Sequence, residues 1–224
     1  MTRIDSFTPT STVLRRAVLT FVGLAGACVG LVLLFLCMRA VMDVGGVCAS
    51  GNTPYQPRVQ CPTGVPGLMV GGIFGGLIAL GIYAVSTFGL NLTLLAWPAL
   101  FISLGFNFAD YGINPPDGFG DGPSFGWIFC AVIFLLMGGV PLVLWIAAHL
   151  QGRESRVQSF DQGSLRARLR LGAAGAPPLD AEAQQRKQRT LAIILHVAGI
   201  AAGIYGGIQL FEWATGSSVS IGFR

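Results

Sequence analysis

Four side chains are of types that do chemistry and stand where chemistry is scarce: Cys48, Cys61, His149 and His196. The two cysteines sit in a Gly- and Pro-rich segment, "GGVCASGNTPYQPRVQCPTG", residues 45–64. Such a pair could bind zinc, exchange electrons or staple the loop. Zinc wants four ligands, and no histidine accompanies the pair. A redox motif normally shows C-x-x-C spacing, which is absent. A disulfide needs an oxidising compartment, so the choice waits on topology. The two histidines lie near the same end of two apolar runs. Imidazoles on facing helices can hold haem, a metal or a quinone; the plainer alternative is a histidine bonded to a neighbouring side chain or a lipid headgroup.

The elements that must position these residues are membrane spans. Only 11% of the 224 residues are charged and 53% are hydrophobic, against about 25% charged in a soluble domain. Runs this long and apolar are enough to cross ~30 Å of hydrocarbon. The expected fold is an all-α integral membrane protein. It is a single domain over 1–224, a bundle of about five transmembrane helices near 17–43, 67–88, 90–109, 124–150 and 190–213. The 67–109 stretch holds no charge and is too long for one span, so a turn is placed at "STFGLN", residues 86–91. Pro66 suits a helix start. Pro98 and Pro141 are expected to kink spans three and four.

Charge sets the orientation. Arg3, Arg15 and Arg16 precede the first span. Arg153, Arg156, Arg166, Arg168, Arg170, Arg186, Lys187 and Arg189 lie in 151–189, between spans four and five. Five spans put both segments on one side, with eleven of the fourteen bases, and the positive-inside rule makes that side cytoplasmic. The N-terminus is then cytoplasmic and the C-terminus outside, as are the loops 44–66 and 110–123. Cys48 and Cys61 fall in the oxidising space, where closing a loop of fourteen residues stabilises by about 3 kcal/mol. Cys28, Cys37 and Cys130 fall within spans, as small apolar residues.

Further patterns concern packing and surfaces. Gly67, Gly71 and Gly75 form a row on one face of span two, and Gly199, Gly203 and Gly207 a row on span five. Each makes a groove where another backbone can approach, in the same chain, in a partner subunit or in a second copy. No Asp, Glu, Lys or Arg lies mid-membrane, which argues against a pump or ion-coupled carrier. Arg39 and Asp43 are spaced for an i,i+4 pair at the outer end of span one. "DGFGDG" in the second outer loop lacks the ligand spacing of an EF-hand. In "SLRARLRL", Arg166, Arg168 and Arg170 could meet anionic lipid or an acidic partner, or anchor topology. Asp180 is expected to cap a helix running into span five. Basic charge confined to membrane flanks gives no reason to expect nucleic-acid binding.

The loop resembles that of small, uncharacterised multi-pass membrane proteins of actinobacteria with an outer G-G-x-C-A-x-G…P-Y…C-P-x-G motif. The resemblance covers about twenty residues and the preceding span. It implies an exoplasmic cysteine pair and a bacterial plasma-membrane address, and implies no activity.

These features favour a non-catalytic polytopic membrane protein without cofactor or metal, an accessory or scaffold subunit that meets a protein partner or a second copy. A facilitator for a small neutral or lipidic solute would need a polar path through Asn91, Thr93, Ser103 and Asn107. A haem or quinone protein would use His149 and His196.

Overall fold

The computed structural model describes the backbone of residues 10–44, 51–52, 56–57, 61–87, 92–115, 122–170 and 179–217, and the side chains of 13–44, 61–87, 92–115, 122–148, 150 and 186–217. The apolar runs form five long helices: α1 (Thr10–Asp43), α2 (Val65–Ser86), α3 (Ala96–Ile113), α4 (Phe125–Arg170) and α5 (Leu179–Thr215). Each contains a stretch long and apolar enough to cross a membrane: Val13–Asp43, Val65–Ser86, Thr93–Ile113, Phe125–Ala148 and Arg186–Thr215. A two-residue antiparallel pairing, Gly51 with Pro57 and Asn52 with Gln56, lies between α1 and α2. A 3₁₀ turn, Thr93–Leu95, leads into α3.

Apolar residues surround these helices instead of forming one stripe, as expected when the outer faces meet lipid and not water. α1 is the hub. It packs along α2 on one side and α5 on another, and meets α3 more sparingly; α4 packs along α3. A core of Leu33, Leu36, Cys37, Val65 and Phe211 closes the junction of α1, α2 and α5. Gly64, just before α2, has φ 84°, a left-handed conformation that favours glycine, and a Cβ there would lie 2.6 Å from the Ala214 carbonyl oxygen. This turn therefore delivers α2 against the end of α5, and Pro66 follows in its first turn.

Pro141 and Pro98 differ in effect. Pro141 lies inside α4 and offers no N–H to the carbonyl four residues back, at Met137. The Trp97 indole N–H donates to that Met137 oxygen at 3.1 Å. A carbonyl orphaned by proline is thus satisfied from the neighbouring helix, as an apolar surrounding demands. Pro98, expected to kink a span, instead lies in the first turn of α3, where an N–H would have no helical partner. Phe101, Phe134 and Phe108 continue the α3–α4 seam from Trp97, with ring centroids 4.4, 5.9 and 5.3 Å apart in turn.

The 151–189 connector is largely helical. α4 continues to Arg170 and α5 begins at Leu179, so Asp180 stands inside the first turn of α5 and not at its cap.

Candidate functional site

Two buried polar nodes tie the helices together. The first joins α2, α5 and the approach to α3. His196 is buried, at 3% exposure, one turn beyond Ala192. Its Nδ1 lies 2.6 Å from the Ala192 carbonyl oxygen, which can only accept, so Nδ1 carries the proton. Nε2 lies 3.0 Å from the Tyr83 hydroxyl, within hydrogen-bond distance. That hydroxyl in turn accepts the Leu92 N–H at 2.9 Å, and the two rings meet edge to face. Beside them Thr20, fully buried, donates to the Ser86 carbonyl at 2.8 Å, capping the last turn of α2. Gly23 permits this approach, since a Cβ there would lie 2.6 Å from the Tyr83 nitrogen.

The second node joins α1 to α3. Arg39 donates to the Asp110 carboxylate at 2.8 Å, with the two side chains 19% and 8% exposed. The guanidinium carbon stands 5.1 Å from the Tyr111 ring centroid and 5.9 Å from that of Phe35. The Tyr111 hydroxyl donates to Asp43 at 2.5 Å. Asn107, fully buried, donates to the Phe35 carbonyl at 3.2 Å. Arg39 and Asp43 are therefore engaged across to α3, beyond their local i,i+4 spacing. Asp110, expected in a loop, is helical.

The two glycine rows have different fates. Gly199 meets Leu24 and Phe21, Gly203 meets Cys28 and Ala25, and Gly207 meets Val32 and Val29, so this row seats α5 on α1. Gly67, Gly71 and Gly75 are exposed, and a Cβ on any of them would meet nothing within 4 Å. The glycines of α2 that seat it on α1 are Gly72 and Gly76, against Gly30.

The remaining candidates separate. Cys28, Cys37 and Cys130 are free thiols, and Cys61 is disulfide-bonded. Cys48 lies outside the described residues. Asn91 and the side chain of His149 lie outside them also. α4, which carries His149, packs on α3, while α5, which carries His196, packs on α1. Both ring nitrogens of His196 are engaged as it stands. Ser103 donates to the Leu100 carbonyl of its own helix, and Asn107 donates to the Phe35 carbonyl of α1. Arg166, Arg168 and Arg170 stand on the helical backbone of α4, with side chains outside the described residues. Among the described residues no group of three or more His, Cys, Asp or Glu could hold a metal ion.

Compared with known proteins, the chain matches no family model, no curated protein and no solved structure.

Sequence reading missed Tyr83, Asp110, Tyr111 and Trp97 as partners. Nothing in their spacing reveals them, because each acts on a helix other than its own. The accessible signal was chemical: a tyrosine, an aspartate or an indole in an apolar run needs a partner where water is absent.

Proposed function

We propose that the protein is a non-catalytic polytopic protein of a bacterial plasma membrane that works by association, as an accessory or scaffold subunit. The single observation that carries this reading is the uncovered row of Gly67, Gly71 and Gly75. Its counterpart on α5 is consumed inside the chain, whereas this row leaves α2 with a smooth groove for another helix. Both polar nodes hold helices together.

In this reading the N-terminus and the basic 151–189 segment face the cytoplasm, following the distribution of bases. The outer loop is stapled by Cys48 and Cys61. Support for the staple comes from the disulfide at Cys61 and the free state of Cys28, Cys37 and Cys130.

Purification in mild detergent tests the association. The wild type is expected to co-purify with other membrane proteins or to self-associate, and Gly71→Leu to abolish this while the thermal transition stays in place. Recovery of the wild type as a lone monomer, or association unchanged by Gly71→Leu, would sink the reading.

A further inference from the structure

We infer that the end of the bundle where α1 and α5 begin is a docking site for an anionic phospholipid headgroup. The two helices run parallel in one register: Gly199 lies beside Phe21 and Leu24, Gly203 beside Ala25 and Cys28, and Gly207 beside Val29 and Val32. Continued toward the start of both helices, that register sets residues 186–193 alongside the first turns of α1. Arg15 and Arg16 therefore share one end of the bundle with Arg186, Lys187 and Arg189, and all five are exposed. These positions are far apart in sequence, and only the packing of α5 on α1 brings them together.

The surroundings fit a lipid. Among the acids with described side chains, Asp43, Asp110 and Glu212 stand toward the opposite end of the helices; Asp180 and Glu182 precede the patch on α5, and the five bases outnumber them. Directly toward the membrane interior, the surface turns apolar and exposed at Val18 and Val22 of α1 and at Ile194 and Val197 of α5. Bases above apolar side chains match a phosphate joined to acyl chains. Guanidinium groups bind phosphate through paired hydrogen bonds, and bases near an anionic surface add to the attraction. Free phosphate would use the bases but not the apolar strip. The site is distinct from Arg166, Arg168 and Arg170, and it does not depend on the association reading above.

The test is native mass spectrometry of the detergent-solubilised full chain titrated with phosphatidylglycerol or phosphatidylcholine. Phosphatidylglycerol adducts are expected to form at roughly tenfold lower lipid concentration than phosphatidylcholine adducts. Each of the pairs R15Q/R16Q and R186Q/R189Q should raise that concentration roughly tenfold, while R166Q/R168Q/R170Q leaves it near wild type. Because charge removal can disturb membrane insertion, R15K/R16K serves as a charge-preserving variant expected to retain the lipid. Equal retention of both lipids, or indifference to both pair substitutions, would overturn the inference. So would displacement of phosphatidylglycerol by inorganic phosphate at matched concentration, which would indicate a site for the free ion.

Discussion

The Tyr83 hydroxyl stands 3.0 Å from Nε2 of His196, 113 positions away in sequence, and both side chains are buried. Nδ1 of the same ring faces the Ala192 carbonyl, so both ring nitrogens are engaged. One hydroxyl thus links α5 to α2, and through the Leu92 N–H it links both to the start of α3.

Tyr83→Phe removes that hydroxyl at little change in volume. Losing a partner for buried polar groups costs about 1–3 kcal/mol, and the thermal transition in detergent should fall accordingly. His196→Leu should destabilise similarly. The double variant should lose less than the sum, since the shared bond can be lost only once. Strict additivity would mean that the two residues act independently.

Arg39 and Asp110 form a part-buried ion pair between α1 and α3. Arg39→Met strands a carboxylate that is 8% exposed, and a loss of about 3 kcal/mol is expected. Arg39→Met with Asp110→Asn should recover part of it, because a neutral pair is cheaper to bury than a lone charge. Chemical unfolding of the single and double variants reads this directly. A double variant less stable than Arg39→Met would contradict it.

Trp97 serves the carbonyl that Pro141 leaves open. Trp97→Phe keeps the ring and drops the donor, which should cost about 1–2 kcal/mol. In a Pro141→Ala background the Met137 carbonyl regains an N–H from its own helix. The cost of Trp97→Phe should then shrink toward the packing difference alone. An unchanged cost in that background would show that the indole acts by packing only.

The glycine rows should respond in opposite ways. A side chain at Gly203 would collide with Cys28 and with the Ala25 backbone, so Gly203→Leu should destabilise the fold by about 3 kcal/mol or more. Gly71→Leu points into open space and should leave the thermal transition within about 0.5 kcal/mol of wild type. Equal destabilisation by the two substitutions would contradict the assignment of their faces.

What the sequence by itself determined was that the chain forms five helices, each apolar for long enough to cross a membrane, and the ends at which charge collects. These follow from local quantities: a run of apolar residues must be long enough for the hydrocarbon, and charges are expelled from it. The two rows of glycines were equally legible as smooth faces, and the capacity of Tyr, His and Asp to bond was plain from their chemistry. Tertiary structure alone decided which glycine row was used, because that depends on the rotation of each helix about its axis. Helices apolar on every side carry no stripe to announce that rotation. It set Gly203 against Cys28 and left Gly71 bare, paired Arg39 with Asp110 across 71 residues, and gave the Pro141-orphaned carbonyl its indole. In lipid, where burial of apolar surface does not distinguish one face from another, close backbone approach and the satisfaction of polar groups make that choice.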